Sequence, residues 1–221
     1  MTKPTSPHRT AARAYGIFFL LAFLSYGIGS GITANISGDL TAIASAKTSF
    51  TIGILLMAVV HTFVNIGLAL VILPILKPFN KTATYGYFAL AITATTIAAI
   101  GAIFMALLVP LSDAYATSTD TGHIETLAIL LNKGGFYAYQ ISMTIWGLGG
   151  LLFVSVLYKS ALVPKFFPIW GAIGYLVFMT GTTAEMFGYP IGVMLSAPGS
   201  LFEVALSLWL IFKGFAPSVK S

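Results

Sequence analysis

Two ionisable side chains, His61 and Glu203, lie deep inside long apolar segments of the sequence. A buried carboxyl group and an imidazole can share a proton or form an ion pair, which would suit proton handling or recognition of a polar ligand. Asn65, one helical turn after His61, and Gln140, in another apolar segment, complete this candidate intramembrane polar site. The alternative is structural, with Glu203 hydrogen-bonded between helices and His61 packed as a neutral side chain. Because one histidine and one glutamate are few groups for chemistry, we favour the structural interpretation and predict no catalytic residue.

Four further residues bear on a site: the pair Pro198-Gly199 within the sixth apolar segment, and Lys133 and Glu185 near segment ends. Pro198-Gly199 precedes Glu203 by about one turn. Proline and glycine inside a membrane helix free backbone groups, so this pair predicts a helix break, either a kink or a short unwound stretch. Lys133 and Glu185 fall near the outer boundary, where they could pair or reach water separately by extending their side chains. We favour the second interpretation.

The residue types argue against cofactor and metal sites. The chain has no cysteine, which excludes thiolate ligands and disulfides. His8 and His123 lie outside the apolar segments, so His61 has no second histidine with which to ligate a haem within the membrane. A zinc site is disfavoured for the same reason, and no phosphate-binding glycine loop occurs. We therefore predict no cofactor and no metal.

Six apolar segments carry these residues, and each is long enough to cross a bilayer. They cover about 14–36, 51–76, 83–110, 134–158, 166–187 and 191–212, in a chain that is 57% hydrophobic and only 8% charged. A spanning helix needs roughly 20 mostly apolar residues. The sequence therefore predicts an all-α integral membrane protein, a six-helix bundle in contact with the lipid bilayer that forms a single membrane domain over residues 1–221.

Basic residues fall almost entirely on one side of this predicted bundle. With a cytoplasmic N-terminus, only Lys47 and Lys133 of the 11 lysines and arginines lie outside. The inner set is Lys3, Arg9, Arg13, Lys77, Lys81, Lys159, Lys165, Lys213 and Lys220. This positive-inside bias predicts that both termini are cytoplasmic in a plasma membrane. It also accounts for the net charge of +5 without nucleic-acid binding, for which a basic face with interleaved aromatic residues is missing.

Two outer segments show helical signals of their own. After a turn at 117–122, apolar residues recur at helical spacing through Leu131, which predicts a short amphipathic helix on the outer side before the fourth span. The alternative is an extension of the fourth span, and Lys133-Gly134-Gly135 predicts a bend in either case. In the first outer loop, Ser37 or Asp39 is expected to cap one or two helical turns.

Small residues at helical spacing predict close packing, because apolar helices in lipid gain stability from backbone approach. The pairs are Gly27 and Gly31 in the first span, Gly147 and Gly150 in the fourth, and Gly171 and Gly174 in the fifth. We favour packing within one chain. A dimerisation face is the alternative, so a homo-oligomer or a membrane-protein partner stays open.

Several short motifs occur in an order that resembles a known family. They are Ala11-Ala12-Arg13-Ala14-Tyr15-Gly16, Leu76-Lys77-Pro78-Phe79-Asn80, the stretch 158–165, Gly174-Tyr175, Glu203, Leu208-Trp209-Leu210 and Lys213-Gly214. The order is similar to that in the bacterial membrane proteins grouped as domain of unknown function 4386 (DUF4386), and it runs nearly the whole chain. The resemblance implies a multi-pass bacterial inner-membrane protein and brings no established activity.

The resemblance also bears on individual residues. Glu203 stands where the family pattern often has its glutamate, which favours a shared role, structural or functional. Ala91 and Ala94 stand where many relatives carry an arginine and a glutamate, and Gly135 where a histidine often occurs. The resemblance thus implies that this chain has lost part of any chemistry those groups support.

The predicted function is that of a multi-pass plasma-membrane protein acting without catalysis, as an accessory or structural subunit or as a small-ligand-binding subunit. The first alternative is a small transporter or proton-handling module built around His61 and Glu203. The second alternative is a membrane enzyme that acts on a lipid or an isoprenoid.

Overall fold

The computed structural model describes residues 7–216, and all regular structure in that range is helical. Six stretches of it are long and apolar enough to cross a membrane: His8–Ala34, Lys47–Leu76, Lys81–Thr117, Gly122–Ser160, Phe166–Met186 and Gly192–Phe212. The predicted six-helix membrane fold is therefore confirmed. Two of the predicted inner-side charges, Lys3 and Lys220, lie outside the described residues.

The spans are built from helices that we number along the chain. They are α1 Pro7–Ala34, α2 Leu40–Ser45, α3 Lys47–Leu55, α4 His61–Leu76, α5 Lys81–Ala106, α6 Leu108–Thr117, α7 Gly122–Ser160, α8 Phe166–Met186 and α9 Gly192–Phe212. A π-helical turn, Leu56–Val60, joins α3 to α4 within the second span. The third span consists of α5 and α6.

Successive spans run in opposite directions, so the connecting segments gather at two ends of the bundle. The end that contains 35–46, 118–121 and 187–191 is the open end, and the end that contains 77–80, 161–165 and 213–216 is the closed end. Local chemistry stops the helices there. Asn80 caps α5 by accepting the N–H of Ala83 at 3.0 Å, and Ala161 ends α7 in a left-handed conformation with φ 52°.

The closed half of the bundle is tightly packed. Its core brings together α1, α4, α5, α7, α8 and α9 around the fully buried side chains of Phe153 and Phe202. A Cβ atom built on Gly150 would lie 2.4 Å from the Tyr175 ring, and one on Gly174 would lie 2.9 Å from the Cα of Gly199. The predicted glycine-mediated packing within the chain is therefore confirmed for the fourth and fifth spans.

The same prediction is wrong for the first span. A Cβ atom built on Gly27 or Gly31 meets no atom within 4 Å, whereas one built on Gly29 would lie 2.6 Å from the carbonyl oxygen of Gly53. At about 100° per residue, Gly29 points away from Gly27 and Gly31. Helix α1 thus packs on α3 through Gly29, and its Gly27–Gly31 face is left uncovered within residues 7–216.

Helix α2 and its neighbours form a second core at the open end. Asp39 caps α2, as expected, and the buried side chains of Ile43, Phe50, Leu108 and Ile124 pack together. The first outer loop is thus a packed element joined to α3, α6 and the start of α7.

Helix α7 runs unbroken from Gly122 to Ser160. Residues 122–133 therefore continue the helix of the fourth span, which was the alternative to a separate amphipathic helix. The bend expected at Lys133-Gly134-Gly135 does not interrupt the helix. The glycines there permit close packing, because a Cβ atom on Gly134 would lie 3.0 Å from the Phe104 ring and one on Gly135 would lie 3.4 Å from the Gly101 carbonyl oxygen.

Candidate functional site

A cavity of about 670 Å³ lies among α1, α4, α5, α7, α8 and α9. Its wall runs from Ser37 and Val193 at the open end to Trp146 and Glu203, midway along the spans. Most of this wall is apolar, as in ligand pockets generally. The packed core of the closed half begins beyond Glu203, where Tyr15 and Phe153 stack with ring centroids 5.6 Å apart.

Glu203 of α9 is the carboxylate on the cavity wall. Its Oε1 atom accepts hydrogen bonds from Trp146 Nε1 at 2.9 Å and from the Tyr175 hydroxyl at 2.8 Å. Its Oε2 atom accepts none from the described residues. Glu203 thus links α7, α8 and α9, as the structural interpretation requires, and leaves one carboxylate oxygen for a ligand.

His61 of α4 lies on the same wall with both ring nitrogens engaged. Nδ1 is 3.0 Å from the carbonyl oxygen of Ala22, and Nε2 is 2.8 Å from the Asn65 side-chain nitrogen. A carbonyl oxygen can only accept, so Nδ1 carries a proton and Nε2 accepts from Asn65, which is the pattern of one neutral tautomer. The described residues show neither a hydrogen bond nor an ion pair between His61 and Glu203.

Asn65 and Gln140 are the two amide side chains predicted beside His61 and Glu203, and only Asn65 lines the cavity. Asn65 lines the wall, whereas Gln140 is buried on another part of α7. The residues that α7 contributes instead include Tyr139, Ser142 and Trp146. The helical register places Gln140 beside Tyr139 in sequence but about 100° away around the helix.

The pair Pro198-Gly199 lies inside a continuous helix, since α9 runs from Gly192 to Phe212. Gly199 is buried against the backbone of Gly174, so the pair allows α8 and α9 to approach closely. Neither residue lines the cavity. The neighbouring residues Ser196 and Ser200 do.

Lys133 and Glu185 do not pair with each other in the described part of the chain. Lys133 is exposed, with Nζ 5.6 Å from the centroid of the Phe136 ring. Glu185 accepts the backbone N–H of Gly192 at 2.8 Å. It therefore satisfies an otherwise free donor at the start of α9, where the helix dipole favours a negative charge.

Several contributors to the site carry no signal in the sequence. Tyr26 lies against His61 with ring centroids 4.9 Å apart and stacks on Tyr139 at 5.5 Å, and both tyrosines line the cavity. The π-helical turn Leu56–Val60 ends directly before His61, a position typical of functional sites. An unbroken apolar run gives no warning of such a turn, since the extra residue is accommodated by tertiary packing.

The positions singled out by the family resemblance lie near the cavity. Ala94 and Gly135 line it, and Ala91 is buried in the adjoining core. Ala94 and Gly135 leave space in the cavity that larger side chains would fill.

The described residues contain no group of three or more His, Asp or Glu side chains able to hold a metal ion. Comparison of the chain with curated proteins and with solved structures finds no match. The profile of the domain of unknown function DUF4386 matches residues 14–214, which is nearly the whole sequence. This six-span helical chain belongs to the DUF4386 family.

Proposed function

We propose that this protein is a multi-pass bacterial inner-membrane protein that binds a small amphiphilic molecule without transforming it. The cavity carries the proposal. Its volume of about 670 Å³ falls within the roughly 300–1,000 Å³ of small-molecule pockets. Its wall is mostly apolar, and its polar groups include Glu203, His61, Asn65, Asn132 and several serine, threonine and tyrosine hydroxyls. Such a wall suits a ligand with one polar group on an apolar body.

The mouth of the cavity supports an amphiphile in particular. Phe23 and Gly27 of α1 line the cavity and are exposed on the surface of a span. The opening therefore extends along α1 into the region that lipid occupies. A ligand could keep its polar group beside Glu203 while its apolar tail leaves toward the bilayer.

Binding is better supported than the alternatives. Proton transfer between His61 and Glu203 would need them in hydrogen-bond reach, but His61 is engaged with Ala22 and Asn65. Transport would need a path through the closed half, where Phe153 and Phe202 are fully buried. Both observations favour a site reached from one side of the membrane.

The proposal includes an orientation. Among the described residues, the closed end holds Arg9, Arg13, Lys77, Lys81, Lys159, Lys165 and Lys213 and no acidic residue. By the positive-inside rule this end and both termini are cytoplasmic, and the cavity faces outward.

The orientation can be tested in a chain that has no cysteine. We expect a membrane-impermeant maleimide to label Thr119→Cys in intact cells and to label Lys165→Cys only after permeabilisation. The reverse pattern would overturn the orientation and leave the binding proposal untouched.

Two glycine variants test binding itself. A Cβ atom built on Gly27 or Gly31 meets no atom within 4 Å, so a side chain at either position starts in open space, and only Gly27 lines the cavity. Molecules that co-purify with protein in nanodiscs can be identified and counted by native mass spectrometry. We expect Gly27→Phe to reduce the bound amphiphile about tenfold or more and Gly31→Phe to leave it unchanged. Equal occupancy in all three proteins, or an empty wild-type cavity, would refute the proposal.

A further inference from the structure

We infer that the polar group of the bound amphiphile is an organic cation, a protonated amine or a quaternary ammonium, recognised by Glu203 and the aromatic wall around it. The inference rests on the proposed binding function and specifies the chemical class of its ligand. Four features of the described residues support it.

The first is the charge of the wall. Glu203 is the one acidic residue among the lining residues in the described chain, and no lysine or arginine lines the cavity. Lys133, which follows the lining residue Asn132 in sequence, is exposed and lies over the Phe136 ring. A carboxylate in an apolar wall without a protein cation is the complement of a ligand cation.

The second is the hydrogen bonding of Glu203. Trp146 and Tyr175 both donate to Oε1, which orients the carboxylate and leaves Oε2 without a donor among residues 7–216. His61 cannot supply that donor as it stands, because its Nδ1 proton is given to Ala22. A ligand ammonium group would complete the hydrogen bonding or the charge pairing of Oε2.

The third is the aromatic content of the wall. Seven of the lining residues within the described chain are Phe, Tyr or Trp. Trp146 lies next to Glu203 and 6.4 Å from Phe19, and Tyr26 lies 5.5 Å from Tyr139, measured between ring centroids. Aromatic rings attract cations through their quadrupole, and such rings form the sites that recognise quaternary ammonium groups.

The fourth is the field at the open end. All the acidic residues other than Glu203 lie there, namely Asp39, Asp113, Asp120, Glu125 and Glu185. The basic residues at this end are Lys47 and Lys133, and Lys47 is paired with Asp113. Excess negative charge at the open end raises the local concentration of cations there and disfavours anions.

A set of matched probes tests the class. The probes are an octyl chain ending in trimethylammonium, the same chain ending in its neutral isostere tert-butyl, and octanesulfonate. Binding of each to wild-type protein in nanodiscs is measured by native mass spectrometry. We expect the ammonium probe to bind about tenfold more tightly than the neutral isostere, as for one charged contact, and the sulfonate to bind least.

Two carboxamide variants assign the preference to Glu203. Glu203→Gln keeps an oxygen for Trp146 and Tyr175 but removes the charge, and it should abolish the preference for the ammonium probe while leaving the neutral probe bound. Glu185→Gln removes one of the five acidic charges at the open end and none from the cavity wall, so it should keep most of the preference. Melting temperatures of both variants within a few degrees of wild type establish that the fold is retained.

The outcomes separate the two proposals. If neutral or anionic probes bind at least as tightly as the ammonium probe, or if Glu203→Gln keeps the preference, the cation inference is overturned while amphiphile binding stands. If no probe binds and Gly27→Phe changes nothing, the binding function itself is refuted.

Discussion

The glycine pairs predicted from their spacing behave in opposite ways in the closed and open halves of the bundle. In the closed half, Gly174 brings the backbones of α8 and α9 into contact, and Gly150 lets the Tyr175 ring of α8 pack against α7. In the open half, a Cβ atom on Gly27 or Gly31 of α1 meets no atom within 4 Å, and Gly27 lines the cavity. Because apolar helices in lipid gain little from mere contact, close approach is needed for stability. The comparison teaches that a small-residue pattern shows where approach is allowed, while the neighbouring helices decide whether it occurs.

Helix α9 belongs to both halves. Its first turns place Ser196 and Ser200 on the cavity wall, and its last turns bury Leu206 and Leu210 in the closed core. Glu203 stands where the two environments meet. Helix α9 thus borders the cavity along its first turns and the closed core along its last turns.

The largest expected effect separates the two halves directly. Gly174→Leu would drive a side chain into the Gly199 backbone, which cannot move as a flexible side chain can. We expect a loss of about 3 kcal/mol of stability, or failure to obtain monodisperse protein. Gly31→Leu, in open space, should stay within about 0.5 kcal/mol of wild type. Thermal unfolding in detergent measures both, and equal losses would erase the distinction between the halves.

The next effect tests the hydrogen bonds of Glu203, which stands between the two halves. Glu203→Leu leaves the Trp146 N–H and the Tyr175 hydroxyl without their acceptor, at a cost of about 2 kcal/mol. Glu203→Gln retains an acceptor and should cost under about 1 kcal/mol. The double variant Glu203→Leu/Trp146→Phe should lose less unfolding free energy than the sum of the losses of the two single variants. Strict additivity would show that the hydrogen bond to Trp146 contributes nothing.

A smaller effect concerns the hydrogen bonds of His61 on the open side. Asn65→Leu removes the donor to Nε2 and should cost about 1 kcal/mol. In protein with ¹⁵N-labelled histidine, we expect the His61 signals to report a proton on Nδ1 and a bare Nε2 whose shift changes in the variant. The His61→Gln variant assigns the signals. A proton found on Nε2 of the neutral ring would contradict the hydrogen-bond pattern.

The smallest effect lies at the rim of the open end. The side-chain hydroxyl and the backbone N–H of Thr41, with the N–H of Ala42, hold the pKa of Asp39 below its ordinary value of 3.8. Because the folded state favours the ionised form, the Asp39 cap stabilises the fold fully above pH 3.8. This stabilisation is lost as the pH falls through the lowered pKa. Asp39→Ala should lower the melting temperature slightly at pH 7, and the difference should shrink on acidification. A difference that grows at low pH would contradict the cap.

The fold could be predicted further than the site. The six spans and the Asp39 cap follow from local patterns, and the packing glycines of α7 and α8 were predicted as well. His61, Asn65 and Glu203 lie on one wall because they lie at similar depths in their spans. Gln140 lies away from that wall, because a shift of one residue turns a side chain to another neighbour. The contacts of Trp146 and Tyr175 with Glu203 join residues far apart in sequence, which no local pattern relates.

The sequence by itself determined that this chain is a bundle of six membrane helices, because backbone groups in hydrocarbon must be hydrogen-bonded within the segment, and long apolar runs leave the helix as the solution. Only the tertiary structure decided that α1 packs through Gly29, that its Gly27 face stays open, and that Glu203 keeps one oxygen free. The physical reason is that rotation and pairing of the helices arise from contacts between distant segments. Hydropathy is averaged along each helix and does not record which side meets which neighbour.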